Sequence, residues 1–306
     1  MDFAPIALFV YNRPEHTEKT LEALCKNTFA GDSVLYIFSD GPKDNSTSEE
    51  LEKINRTRAV LKNKQWCKEV IIKERKTNLG LAASIISGVS ELVNQYGSII
   101  VLEDDIVAGP GFLKYMNEAL KMYQKNTLVG CIHGWNYSLV NPKNSNSTFF
   151  LKGADCWGWA TWSRAWELFE PNGQKLLDNI KRNKMEFDFD RRGSHKYVEM
   201  LEDQIHGRNN SWFIRFHASL YLAGKFCLHP TRSIVKNIGL DGSGTHCGTT
   251  DILQDPIDNI DLIELPVTET DWFFEAYISS VLKTKTLIST LQKLKKLLKQ
   301  TFLIFF

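Results

Sequence analysis

The run Ser98-Ile99-Ile100-Val101-Leu102-Glu103-Asp104-Asp105 constrains this chain more than any other stretch, because a short apolar strand delivers three consecutive acids to its own C-terminal end. Adjacent carboxylates repel one another, so holding three of them together is unfavourable unless a cation or a hydrogen-bond network neutralises them. Oxygen-only ligands suit a hard ion such as Mg²⁺ or Mn²⁺, which commonly keeps open positions for waters or substrate phosphates. A strand end whose acids simply face water has the same sequence, and the triplet alone does not separate the two.

The residues upstream of the triplet alternate strand and helix signals. Ile6 to Val10 reads as a buried strand, followed by Asn12-Arg13-Pro14 and an amphipathic stretch from Glu15 to Lys26. Val34 to Phe38 is a second strand ending in the turn sequence Ser39-Asp40-Gly41-Pro42, and Glu49 to Leu61 is a second helix. Val70 to Lys73, Ala82 to Tyr96 and Ile99 to Leu102 continue as strand, helix and strand. Strands separated by helices predict an α/β fold with a right-handed, mostly parallel sheet flanked by helices. In such a sheet the loops at the carboxyl ends of the strands converge on a ligand crevice. Asn12, Arg13, Asp40 and Glu103-Asp104-Asp105 all fall there. Arg13 is suited to pair with a phosphate and Asp40 to accept hydrogen bonds from a base or ribose; singly, each is equally a surface ion-pair partner or a turn former.

Composition excludes several classes. A formal net charge of +1 with Lys and Arg spread along most of the 306 residues gives no reason to expect nucleic-acid binding. Six scattered cysteines with no C-x-x-C pair read as reduced thiols in a cytoplasmic protein. Met1 runs directly into the first strand with no secretion signal, and no apolar run reaches the roughly 18 residues of a transmembrane helix.

Downstream of the triplet the chain is aromatic and less regular. Gly134-Trp135-Asn136 is followed by Trp157, Trp159, Trp162 and Trp166, four tryptophans within ten residues. They form either a flat wall against a sugar ring or a Trp-rich core.

Taken together, Asn12-Arg13, Ser39-Asp40, Val101 to Asp105 followed by Gly111-Phe112, Gly134-Trp135-Asn136 and Gly158-Trp159 resemble a GT-A fold glycosyltransferase. The nearest likeness is to the N-acetylglucosaminyltransferase I-like group and its bacterial polysaccharide-synthesis relatives, over roughly residues 4 to 248. The resemblance implies that Asp105 ligates a metal, Mn²⁺ or Mg²⁺, while Glu103 and Asp104 hold ribose, waters or donor sugar. It also places Asn12, Arg13, Asp40 and Trp159 on the nucleotide-sugar donor. His246, in the glycine-rich segment Gly239 to Cys247, is the corresponding second metal ligand; an ordinary loop with a solvated His246 is the alternative.

An inverting transfer needs a carboxylate base. Related enzymes keep it in an acid-Trp context, and this chain has Ser211-Trp212 at the most similar position. Asp203, with Glu202 beside it, is therefore the leading candidate and Asp155 the fallback; both acids of the first pair also suit a helix end.

The expected organisation is a catalytic domain over 1–248, its nucleotide half about 1–130 and its acceptor half about 131–248. A connecting segment follows over 249–282, then a basic amphipathic helix over 283–306. Leu287, Ile288, Leu291, Leu294, Leu297 and Leu298 form an apolar stripe beside Lys285, Lys293, Lys295, Lys296 and Lys299. That pattern fits an interfacial helix on an anionic inner membrane face, or a helix packed on its own domain or a second subunit.

The resulting expectation is a metal-dependent inverting glycosyltransferase, cytoplasmic and membrane-peripheral. It moves a sugar from a UDP-sugar, foremost UDP-N-acetylglucosamine, to a surface polysaccharide or lipid-linked oligosaccharide. The alternatives are a sugar nucleotidyltransferase, for which no glycine-rich phosphate loop followed by Lys is present, and a noncatalytic Ca²⁺-dependent carbohydrate-binding protein.

Overall fold

The computed structural model describes residues 3–136, 148–242 and 280. Its first half alternates as the sequence pattern requires: β1 (Ile6–Val10), α1 (Pro14–Cys25), β2 (Val34–Ser39), α2 (Ser48–Lys62), β3 (Glu69–Glu74), α3 (Leu81–Tyr96) and β4 (Ser98–Glu103). Pro14 opens α1 at a position where its missing N–H has no helical partner to lose. A capping box starts α2: the Thr47 hydroxyl accepts from the Glu50 amide at 3.2 Å while Glu50 accepts from the Thr47 amide at 2.9 Å. After the triplet come β5 (Ile106–Ala108) and α4 (Phe112–Met122).

The second half is more regular than its sequence promises. It contains β6 (Val129–His133), β7 (Thr148–Lys152), β8 (Trp159–Trp162), α5 (Ser163–Trp166), α6 (Gly173–Arg182), α7 (Glu186–Phe189), α8 (Tyr197–Ile205), α9 (Trp212–Leu222), β9 (Phe226–Pro230) and β10 (Val235–Asn237). One eight-stranded sheet, ordered β3-β2-β1-β4-β8-β6-β9-β7, runs through both halves. The strands from β3 to β4 are parallel, β8 is antiparallel to both β4 and β6, β9 is parallel to β6, and β7 is antiparallel to β9. Six strands therefore point one way, and the carboxyl ends of β1, β2, β4, β6 and β9 share an edge.

Burial explains the strand compositions. Every residue of β1 is buried, as expected for an interior parallel strand covered on both faces. One layer of the core lies under α1 and α4, around Leu8, Leu21, Ile100, Leu113 and Met116. The opposite layer lies under α3 and α9, around Phe9, Phe38, Val89, Trp159, Trp212 and Phe216. A separate cluster of Leu176, Ile180, Phe189, Leu201 and Ile214 holds α6 to α9 together. The five described cysteines, Cys25, Cys67, Cys131, Cys156 and Cys227, form no disulfide with one another. No described helix is long and apolar enough to cross a membrane.

Gly88 sets how closely α3 approaches the sheet. Phe9 and Phe38 stack beneath it at 4.9 Å, and a Cβ at position 88 would stand 2.8 Å from the Phe9 ring and 3.0 Å from that of Phe38. Gly88→Ala is expected to destabilise the protein, because overpacking costs about 1–3 kcal/mol and outweighs the roughly 1 kcal/mol of helix propensity that Ala gains. A lower urea midpoint at unchanged slope would show this; an unchanged or higher midpoint would contradict it.

Candidate active site at the carboxyl edge of the sheet

Strand register brings the expected residues to one level. Phe9 pairs with Glu103 and Val10 with Ser39, so the segments after β1, β2 and β4 leave the sheet side by side. Arg13, immediately before α1, reaches across to the triplet. Its Nε donates to Asp104 Oδ2 at 3.3 Å and its Nη2 to Asp105 Oδ2 at 2.9 Å, with a further Nη2 contact to Asp104 Oδ1. The backbone is fixed as well: the Thr20 hydroxyl donates to the Asp104 carbonyl at 2.9 Å, and the Ile238 amide to the Asp105 carbonyl at 2.9 Å.

Both Asp104 and Asp105 are buried, and one guanidinium faces three carboxyl groups. Burial, and then the charges of Asp105 and Asp104, push the Glu103 carboxyl up to about 8. Burial raises Asp104 to about 6 against the lowering pull of Arg13. On Arg13 itself burial opposes the charge, but the attraction of the two aspartates prevails and raises its pKa. Glu103 has no hydrogen-bond partner among the described residues, and Arg13 Nη1 is buried without one.

This donor set fits a divalent cation. It is all oxygen, its negative charge exceeds the single positive charge present, and one carboxyl is uncommitted. Gly239 closes over it: a Cβ there would stand 2.2 Å from Asp105 Oδ2 and 3.0 Å from Arg13 Nη1, so only glycine admits this approach. His16 Nε2 meets Asp241 Oδ2 at 3.1 Å, which ties the end of this segment to α1. His246 lies outside the described residues, as does the segment from 283 onward.

Other expectations need revision. Asp40 reaches the edge, but both its oxygens already accept backbone hydrogen bonds, from Gly41 and Leu79 at 2.9 Å and from Gly80 at 2.9 Å. It fixes the turn that launches α3 rather than offering a free carboxylate to a base or ribose. Asn12 stands half-buried beside Arg13 with no described hydrogen-bond partner. Trp159, expected on the donor, is fully buried: the alternation of β8 turns its ring to the α3 and α9 side, where it stacks on Trp212 at 5.1 Å. Trp162 and Trp166 are buried too, so these three tryptophans are core. The aromatic pair at the edge is instead Trp135 with half-buried Trp157, edge to face at 4.6 Å.

Asp203 and Glu202 are not brought to the triplet by any contact among the described residues. They lie on α8, which packs among α6, α7 and α9; Asp203 accepts from Arg208 Nε at 2.5 Å and Glu202 from Lys181 at 3.0 Å. The fallback, Asp155, does reach the sheet edge, beside His133 of β6 and His229 of β9; these three offer ligand-type atoms within 4.8 Å of one another. His229 escaped notice in the sequence because positions 133, 155 and 229 show no common spacing; only the parallel pairing of β6 with β9 unites them.

The raised Glu103 and Asp104 values carry a sign. A carboxyl whose folded pKa exceeds its unfolded one stabilises the fold most below the unfolded value, and that contribution is lost as pH rises through the folded value. In metal-free buffer the protein is therefore expected to lose stability between about pH 4.5 and the Glu103 value of about 8, and Glu103→Gln to flatten that decline. Thermal melts with EDTA at pH 5 and pH 8 measure it. A wild type as stable at pH 8 as at pH 5, with no gain from Glu103→Gln, would contradict it.

The comparisons agree with this architecture at the level of family. Residues 6–185 match the model for glycosyl transferase family 2, which is more than half of the chain. No curated protein matches. Among solved structures, S. aureus TarS aligns with 46% of this chain and 23% of its own at 15% identity and a TM-score of 0.28. A UDP-glucose pyrophosphorylase complexed with UDP-glucose aligns with 56% of this chain and 82% of its own at 10% identity and a TM-score of 0.32. These scores are too low to bear on function, and the chain spans less than a quarter of the length of TarS. The family match rests on β1 to α6, the segment that contains Arg13, Asp40 and the triplet, and it shows that this chain belongs to glycosyl transferase family 2.

Proposed function

We propose that the chain is a metal-dependent inverting glycosyltransferase that transfers a sugar from a UDP-sugar, foremost UDP-N-acetylglucosamine, to a surface polysaccharide or lipid-linked oligosaccharide. The supporting observation is the charge imbalance at the end of β4, where Asp104 and Asp105 share one arginine under the glycine at 239 and Glu103 stands next to them without a partner among the described residues. Glu103, Asp104 and Asp105 would hold Mn²⁺ or Mg²⁺, and a bound divalent ion supplies charge that stabilises the departing nucleoside diphosphate. Arg13 contributes a buried, uncommitted Nη1 as donor to a phosphate oxygen, with Asn12 beside it. Asp40 shapes the base-binding side indirectly, through the 79–80 turn. Half-buried Trp157, packed on the core residue Trp135, offers apolar surface to a sugar ring beyond the triplet.

UDP and N-acetylglucosamine rest on the resemblance to the N-acetylglucosaminyltransferase I-like group. Membership of family 2 favours transfer over the nucleotidyltransferase and noncatalytic alternatives. The basic, leucine-striped segment 283–306 supports a peripheral position on an anionic membrane face, close to a lipid-linked acceptor.

Asp105→Asn is expected to lower sugar transfer by roughly 100-fold or more, because an amide supplies no charge to a cation at this position. Retention of wild-type turnover at saturating Mn²⁺ would contradict the assignment. Deleting the chain from Leu287 onward is expected to abolish co-sedimentation with phosphatidylserine-containing vesicles while leaving turnover on a soluble acceptor intact. Vesicle binding that survives the deletion would exclude this segment as the anchor.

A further inference from the structure

Four carboxylates are buried among the described residues: Asp40, Asp104, Asp105 and Asp155. Asp40 anchors a turn and the next two belong to the triplet, so Asp155 alone has no place yet in the chemistry. Its location is set by register. Trp159 of β8 pairs with Val101 of β4 on one side and with His133 of β6 on the other. Because β8 is antiparallel to both, the residues leading into it, Asp155 to Gly158, run along the last residues of β4 and past the carboxyl ends of β4 and β6. The Gly134 amide secures them by donating to the Gly158 carbonyl at 2.7 Å. Two interstrand spacings separate β4 from β6, about 10 Å. Asp155 thus stands at the same edge of the sheet as the triplet, on the β6 side.

The surroundings of Asp155 form a directed chain. Its Oδ1 accepts from the Cys156 amide at 2.9 Å and lies 3.7 Å from His133 Nε2. The Trp157 amide donates to that same Nε2 at 3.0 Å, so Nε2 is the acceptor and the imidazole proton resides on Nδ1. His133 Nδ1 faces His229 Nδ1 at 3.4 Å, which leaves the proton of His229 on Nε2, buried and without a partner among the described residues. The two nitrogens of His133 face different neighbours, Asp155 on one side and His229 on the other. This is the order of a chain rather than of ligands converging on one ion. The charge of Arg191, which adds to burial in keeping both imidazoles neutral, also has the wrong sign for a cation site.

We propose that Asp155 is the base that accepts the proton of the acceptor hydroxyl, with His133, whose Nε2 accepts from the Trp157 amide, as the positioning residue that holds the segment carrying it. This rests on the glycosyl-transfer reading. The acceptor oxygen forms its bond to the anomeric carbon as the bond from that carbon to the terminal phosphate oxygen of the donor breaks. The leaving nucleoside diphosphate takes the electron pair, and the hydroxyl proton passes to an Asp155 carboxylate oxygen. Asp155 is placed for this by the sheet edge itself, whereas Asp203 is held by Arg208 at the end of α8.

The test uses the full chain as wild type, Asp155→Asn, Asp203→Asn and His133→Gln, with two readouts. The first is UDP binding with Mn²⁺ by calorimetry. The second is nucleoside diphosphate release from whichever UDP-, GDP- or dTDP-sugar the wild type cleaves fastest, with and without sodium azide. Asp155→Asn is expected to bind the nucleotide as the wild type does and to lose on the order of 100-fold in release rate. Azide, an anionic nucleophile with no proton to give up, is expected to restore much of that rate. His133→Gln is expected to lower kcat at unchanged donor KM. Wild-type release by Asp155→Asn, a loss that azide does not relieve, or an azide-relieved loss in Asp203→Asn would overturn the proposal. A wild type that prefers a GDP- or dTDP-sugar would refute the UDP assignment alone and leave the Asp155 comparison to be made on that donor.

Discussion

The ion pair of Arg13 with Asp104 and Asp105 is the interaction on which the carboxyl edge depends. Four segments meet at it: the end of β1, the first turns of α1 through Thr20, the end of β4, and the 237–241 segment through Ile238 and Gly239. Three acids packed this tightly would repel one another apart were it not for Arg13, yet one guanidinium leaves the cluster short of positive charge. Burial first, and then the repulsion of the neighbouring acids, raises Glu103 and Asp104. This imbalance at the convergent end of a parallel sheet is what the proposed cation and diphosphate site rests on.

The opposite side of the crevice is built by different physics. There the sheet turns antiparallel, and β8 threads between β4 and β6 so that the Asp155 to Gly158 segment returns over the edge. A buried carboxylate, Asp155, lies there beside a short hydrogen-bond chain from the Trp157 amide through His133 to His229. In the proposed transfer, charge departs at the triplet and a proton at Asp155, so the two sides have separate tasks. Because one sheet carries both, the spacing between them is fixed by strand pairing and not by the hinge of two domains.

Much of this was legible in the sequence where local rules apply. Buried runs such as Ile6 to Val10 and the helical stretches from Glu15 to Lys26 and from Glu49 to Leu61 set the first-half elements to within a residue or two. The triplet and Arg13 were visible because parallel strands deliver their carboxyl-end loops to a common place. Three things were left open. Asp40 reads equally as a nucleotide contact or a turn former until the backbone amides of residues 79 and 80 close on it, a contact about 40 positions away in sequence. The tryptophans read equally as a sugar wall or a core until strand alternation puts Trp159 inward. The His133, Asp155 and His229 group depends on strand neighbours nearly a hundred residues apart, which no spacing rule encodes.

The most direct measurement of the central claim is a calorimetric titration of the full chain with UDP, in the presence of Mn²⁺ and again in EDTA. The account requires binding with Mn²⁺, at one site, that is weakened at least about tenfold without it, because the triplet repels a diphosphate unless a cation lies between them. UDP affinity that is the same with and without metal would contradict it, and would show that the three acids at the end of β4 are not where the nucleotide binds.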